Sequence, residues 1–249
     1  MNILVCISSV PDTTSKIKFT DSNTKFDSNG IQFVINPYDE FGLTKAMMLK
    51  ESHSANVTVL TVGDICVEPV MRKALAIGAD KAVRINMKAN DSFSTAKEMV
   101  NYIEDESYDL IIAGRESIDY NGGMVPAMIS EMLNLPFVNA CIGLEIEGEN
   151  AKIIREIDGG KEMISSKLPL VIGGQKGLVQ ESELRIPNMR GIMQSRSKPL
   201  EVLESKFTEN HTSSMSFIYP ESKASCRLVD SSNVAGLVDL LHNEAKVIN

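Results

Sequence analysis

Five short apolar runs, at residues 3–7, 57–62, 81–85, 110–113 and 170–172, alternate with stretches of helical periodicity. This alternation constrains the chain more than any single motif does. The runs hold few polar residues, unlike strands with one wet face, in which every second residue is polar. Strands of this kind are covered on both faces, as in a parallel sheet flanked by crossover helices.

The intervening segments carry helix signals. Asn36-Pro37 places a cap residue before a proline, and Phe41, Leu43, Ala46, Met47 and Leu49 follow at three- and four-residue spacings, which predicts a helix from Pro37 onward. Further helices are expected over 67–77, stopped by Gly78, and over 94–104. Residues 17–19 and 31–34 flank a polar Asp/Ser/Asn/Gly stretch and predict a hairpin, as do 138–146 and 152–157 around Glu145–Asn150. Asp158-Gly159-Gly160 predicts a further turn into a strand running toward Lys167-Leu168-Pro169. Past Ile186 the pattern weakens. The polar runs 195–206 and 208–216 read as an extended arm, and a last helix over 234–245 lines up Val234, Leu237, Val238 and Leu241 for docking. The expected fold is α/β, Rossmann-like and three-layered, with a mainly parallel central sheet, edge hairpins and a C-terminal arm. Residues 1–194 form the expected main domain and 195–249 the arm.

A chain of 249 residues with 43% hydrophobic content can bury such a core. Its net charge of -8 argues against nucleic-acid binding, which relies on Lys and Arg to neutralise phosphates. No run approaches the ~18 to 20 apolar residues of a membrane span, and Met1–Val10 has no charged region ahead of its apolar stretch. Cys6, Cys66, Cys141 and Cys226 form no CxxC pair, and His53, His211 and His242 are scattered, so neither a disulfide framework nor a metal site is expected. A reducing cytoplasm is the expected compartment.

Ligands of open parallel sheets bind beyond the carboxyl ends of the strands. Three loops there carry chemistry: Cys6 to Asp12, Asn36 to Asp39, and Ala113 to Pro126. In the last, Gly122 and Gly123 allow close backbone approach, Arg115 adds a positive charge, and a following helix would turn its positive end toward a phosphate. A glycine pair before a helix can equally be a loop with unusual dihedrals. Neither GxGxxG nor GxxxxGK[ST] occurs. Asp12, Asp39 and Asp119 have no histidine at a spacing that suggests general acid-base work.

Arg155, Asp158, Gly159, Gly160, Glu162 and Pro169, at these spacings, resemble the signature of the electron transfer flavoprotein beta subunit. Four more landmarks of that family stand in order: Asn36 to Glu40, Ala74 to Asp80, Gly114 to Asp119, and Arg190-Gly191-Ile192-Met193. The resemblance covers most of residues 1–202. It implies a heterodimer with a larger alpha subunit that holds the redox FAD, while beta binds a structural AMP. Carried over by motif, the AMP site comprises Cys6, Asn36, Pro37, Tyr38, Asp39, Val62, Arg115, Glu116, Ser117, Ile118, Asp119, Asn121, Gly122, Gly123 and Met124. Electron-bifurcating relatives hold a second FAD there.

The resemblance also implies a recognition loop near 184–194, with Met189 as its apolar anchor beside Arg190, Ile192 and Met193. That loop docks acyl-CoA or other flavin dehydrogenases, whose electrons pass to a quinone-linked or other acceptor oxidoreductase. The same resemblance implies that the subunit turns over no substrate of its own. This chain departs from the family in a shorter 119–126 loop, a less basic run after Met193, Thr13 in place of an aromatic residue, and Gly173. The rival expectation is an ATP-using enzyme of the alpha-hydrolase fold, which needs a glycine-rich loop after the first strand. Ser8-Ser9-Val10-Pro11 supplies no glycine. A stress protein on the same scaffold would need a phosphate loop that Gly173 to Gly177 does not match in spacing.

Overall fold

The computed structural model describes residues 1–206, 209–223 and 225–248. The chain opens with β1 (Asn2–Cys6) and four short strands, β2 (Ser9–Pro11), β3 (Phe19–Thr20), β4 (Lys25–Phe26) and β5 (Phe33–Ile35), before α1 (Pro37–His53). Strict alternation follows through β6 (Asn56–Val62), α2 (Glu68–Ile77), β7 (Lys81–Asn86), α3 (Ser92–Ile103), β8 (Leu110–Gly114) and α4 (Val125–Leu133). Next come β9 (Phe137–Glu147), β10 (Asn150–Ile157), β11 (Gly160–Lys167) and β12 (Leu170–Gly174), then α5 (Met189–Ser195), β13 (Leu200–Glu204) and α6 (Val234–Asp239). All five apolar runs become strands of one nine-stranded sheet, ordered β11-β10-β9-β12-β8-β1-β6-β7-β13.

The central strands β12, β8, β1, β6 and β7 are buried on both faces, as near-continuous apolar strands require. Ile3, Val5, Val57, Val59, Leu110 and Ile112 point to the side covered by Leu43 and Met47 of α1 and Met71 and Leu75 of α2. Their neighbours Leu4, Leu60, Val83, Ile85 and Ile111 point to the side covered by Met99 and Val100 of α3 and Ile129 of α4. The two-residue period of the strands thus sorts one sequence into two cores. Gly42 lets α1 lie against β8, since a Cβ there would sit 2.7 Å from Ile112 Cγ2. Gly78 ends α2 at φ 148°, a conformation that side chains resist.

The antiparallel additions β9-β10 and β10-β11 lie at one edge of the sheet, as expected. The first predicted hairpin is paired differently. Phe33–Ile35 runs antiparallel to Ser9–Pro11, while Phe19–Thr20 closes on Lys25–Phe26 through Asp21, Ser22 and Asn23, all at positive φ. Burial of Val10 and Ile35 decides the first pairing, and the Asp/Ser/Asn run is able to close a smaller hairpin by itself.

The run 195–206 also differs from the expected arm. Its residues 200–204 form the sheet's other edge, parallel to β7 from Leu200↔Ala82 to Glu204↔Asn86. Leu200 and Leu203 pack on the core, and Lys81 pairs with Glu201 at 2.7 Å.

The arm proper follows β13. It is held where Asp91 Oδ2 accepts the N–H groups of His211 and Thr212, and where Phe217 stacks on Phe19 with ring centroids 4.7 Å apart. Phe207, Thr208, Ala224 and Asn249, also read as arm, lie outside the described residues. In α6, Val234, Leu237 and Val238 are exposed, so this helix does not bury its apolar face on the chain's own sheet.

Candidate functional site

The sheet reverses its order at β1. From there the chain builds outward through β6 and β7, then returns to the opposite side of β1 for β8. A crevice at the carboxyl ends of the strands is the expected ligand position in such sheets. The loops after β1, β6 and β8 and the start of α1 meet there.

Asp39, in the first turn of α1, is the central staple. One carboxylate oxygen accepts the Ser8 N–H at 2.7 Å and the other the Gly114 N–H at 2.8 Å, which ties the exits of β1 and β8 to α1. Burial pushes the Asp39 carboxyl up to about 7, against the opposing pull of its hydrogen bonds from Ser8, Asn36 and Gly114, and nearby Asp119 adds to the rise. Gly114 has to be glycine, because a Cβ there would collide with Asp39 Oδ1 and Tyr38 Cβ.

Asn36 is the second staple. Its amide donates to Glu116 O at 2.9 Å and accepts from the Ile118 N–H at 3.3 Å. Both side chains are therefore spent in shaping the loops, and Pro37 and Tyr38 ride on the same helix start. Cys6 ends β1 in a buried position, where burial and then Asp39 push its thiol up to about 12, so it stays neutral. Val62 closes β6 in the same apolar cluster as Cys6.

The loop after β8 folds back on itself. Ser117 and Gly122 exchange backbone hydrogen bonds of 2.9 and 3.2 Å, and Asn121 takes a φ of 53°. Asp119 Oδ1 accepts from Ser117 Oγ and from the Tyr120 N–H. The next residues lead into α4 at Met124, and no side chain caps that helix. Among the described residues no side chain hydrogen-bonds to its first-turn N–H groups, which is the usual preparation for an anion. A Cβ on Gly122 would meet nothing within 4 Å, whereas one on Gly123 would press on Arg115 O at 2.9 Å.

Arg115 is held rather than free. Its Nη1 donates to Gln175 Oε1 at 2.6 Å, and Nη2 lies 3.5 Å from Glu116 Oε2. The Gln175 amide in turn donates to Glu156. Sequence reasoning missed Gln175 and Glu156 as site residues, and it named the loop of Ser8 without its bond to Asp39. Gln175, in the short Gly-Gly-Gln-Lys-Gly run after an apolar strand, left a visible signal, whereas Glu156 left none.

A second exposed surface lies over α5. Asn188 caps this helix by accepting the Gly191 N–H at 2.8 Å. Met189 is 75% exposed, Met193 69% and Ile192 40%, and Arg190 is also exposed. Ile186, unassigned from the sequence, is 84% exposed just before the helix. Two hollows of about 160 and 220 Å³ lie elsewhere. One is bounded by Asn2, Thr58, Lys81 and Tyr108, the other by Glu98, Asn101 and Leu203, and neither includes a residue of the crevice.

Comparison with known proteins gives a consistent result. The family described as "Electron transfer flavoprotein domain" matches residues 24–207. The chain is 34% identical over 262 residues to "Electron transfer flavoprotein subunit beta" of Bacillus subtilis, covering 100% of both chains. It is 33% identical over 252 residues to the protein of the same name from Syntrophomonas wolfei, covering 99% and 98%. A Mycobacterium bovis protein of that name is 36% identical over 211 residues, covering 81% and 78%.

Proposed function

Because this chain belongs to the electron transfer flavoprotein beta-subunit family, we propose that it is the nucleotide-binding and partner-docking half of a heterodimeric electron carrier. The observation that carries this reading is the crevice at β1, where Asp39 and Asn36 knit three loops into a fixed frame that ends at the uncapped start of α4. The donor set suits an adenine nucleotide. Backbone N–H groups at Val125 and Ala127, close to the glycines, would take the phosphate of AMP, while Cys6 and Val62 supply an apolar floor. Asn36 to Asp39 and Arg115 to Met124 would frame the nucleotide, with Asn36 and Asp39 acting through the loops they hold.

The exposed apolar residues of α6 fit packing against an alpha subunit that carries the redox FAD, with the arm that follows β13 reaching that partner. The flavin supplies the electron chemistry, and this chain turns over no substrate of its own. Met189, with Arg190, Ile192 and Met193, would dock acyl-CoA or other flavin dehydrogenases. Coexpression with the alpha subunit, followed by denaturation of the purified complex and mass analysis of released nucleotides, tests the reading. One FAD and one AMP per heterodimer would support it, and two FADs would replace AMP with a bifurcating flavin in this crevice. A chain that captures neither partner nor nucleotide would end the proposal.

A further inference from the structure

Helix α5 has seven residues, too few to hold helical geometry alone, since isolated helices shorter than ~12 to 15 residues are marginal in water. Its mount on α2 supplies what its length lacks. Arg72, on α2, reaches across with Nη1 to the carboxyl end of α5, donating to Ser195 O at 2.8 Å and Lys198 O at 2.9 Å. Lys198 returns the favour, its Nζ donating to Leu75 O at 3.0 Å and Ala79 O at 2.6 Å at the carboxyl end of α2. Each helix thus has its unpaired carbonyls and negative dipole end met by a cation from the other's side. The approach is close: a Cβ on Gly191 would collide with Ala76 O.

The mount decides what α5 presents. Met189 and Met193 are four residues apart and share one face of a helix, about 5 to 6 Å between Cβ atoms. Both are exposed, while Ser195 is buried toward α2. From 184 to 198 the chain carries Arg185, Arg190, Arg196 and Lys198 and no carboxylate, against a net charge of -8 for the whole. Arg185 is paired with Glu51 and Lys198 is committed to α2, which leaves Arg190 and Arg196 without an ion pair among the described residues. The surface is a pair of thioether side chains with a cationic rim.

We infer that Arg72, Lys198 and Gly191 are positioning residues that fix α5 as a rigid docking platform, one fitted to a flavin dehydrogenase whose shallow apolar pocket is edged by carboxylates. The inference rests on the docking reading above. The test uses the heterodimer, with amide hydrogen exchange over 189–197 and dehydrogenase-dependent reduction measured on the same preparations. A purified acyl-CoA dehydrogenase with its acyl-CoA substrate is the electron donor. In Arg72→Met and in Gly191→Ala, exchange over α5 should quicken and the KM for the dehydrogenase should rise about tenfold, far more than kcat falls, as loss of hydrogen bonds from a charged group leads one to expect. Nucleotide content should not change. Arg72→Lys, which keeps a cation, should recover part of both effects.

Protection and KM both left as in the wild type in Arg72→Met and Gly191→Ala, while Met189→Ala/Met193→Ala raises KM, would overturn the platform and leave the docking reading standing. An unchanged KM in the methionine double variant would instead overturn the docking reading and the purpose given to the mount, with the exchange rates still deciding whether these residues hold α5.

Discussion

Asp39 accepts the backbone N–H of Gly114 at 2.8 Å, joining the first turn of α1 to the last residue of β8 across 75 positions of sequence. With the second bond, from Ser8, this one buried carboxylate closes the frame on which the proposed nucleotide site depends.

The frame should be sensitive to pH. The folded-state value of about 7 for Asp39 lies above the ~3.9 of a free aspartate, so the native chain holds an extra proton between the two. This group therefore contributes stability that is complete below pH ~4 and is lost as pH climbs through about 7. In Asp39→Asn that component is gone. At pH 5 the variant should be less stable by about 1–3 kcal/mol, because an amide NH2 faces a backbone donor, and the gap should narrow toward pH 8. Melting curves from pH 4.5 to 8 check this, and parallel slopes for the two proteins would contradict it.

Removing the Asp119 carboxylate should loosen the 117–122 loop, since its Oδ1 accepts from both Ser117 and Tyr120. Asp119→Ala is expected to lose nucleotide on purification and to weaken the heterodimer. The check is the nucleotide-to-protein ratio after gel filtration; a ratio equal to wild type would count against the assignment.

Met189→Ala alone should slow reduction by dehydrogenases several-fold, as truncation of an interface anchor by about 1 kcal/mol or more implies, with flavin content unchanged. Stopped-flow reduction with more than one dehydrogenase measures this. Equal rates with all of them would remove Met189 from the docking surface.

The aromatic clasp between Phe19 and Phe217 should govern how tightly the arm lies on the body. Phe217→Ala removes the stack, a contact of about 0.5–1.5 kcal/mol beyond its buried area. Faster limited proteolysis between residues 209 and 219, with cleavage elsewhere unaltered, is the expected outcome. A digestion pattern matching wild type would show that the stack is dispensable beside the hydrogen bonds to Asp91 and the contacts of Tyr219 with Phe19.

The central sheet was legible because its strands announce themselves: Val57–Val62 and Leu110–Ala113 are apolar on both faces, proline marks the starts of α1, α2 and α4, and Gly78 marks the end of α2. The crevice was legible as a set of loops, through Asn36-Pro37 and the glycine pair, but the internal bonding of Asn36 and Asp39 was not. A carboxylate that contacts ligand and one that ties two loops together look alike in sequence, since the difference lies in which N–H groups the fold brings within 3 Å. The edge strand β13 was hidden for another reason. Leu-Glu-Val-Leu-Glu lacks the two-residue alternation of a half-buried strand and is too charged for a buried one, so only its partner β7, more than a hundred residues earlier, makes it a strand. The mispaired hairpin at 17–34 failed on the same ground, because turn residues show where a chain can reverse and not which strand it meets.

Strand β13 also works as a guard rail. Behind it lies β7, with Ala82, Val83, Arg84 and Ile85 all buried, and a margin of that kind, left open, is a template for the edges of other molecules. Its replacement at the rim is five residues long and carries Glu201 and Glu204, one on each face of the strand. A chain cut before residue 200 would lose that protection and turn self-adhesive, whereas one cut after 206 would keep a finished border. The last strand of the sheet thus finishes a border that the arm beyond it does not have to cover.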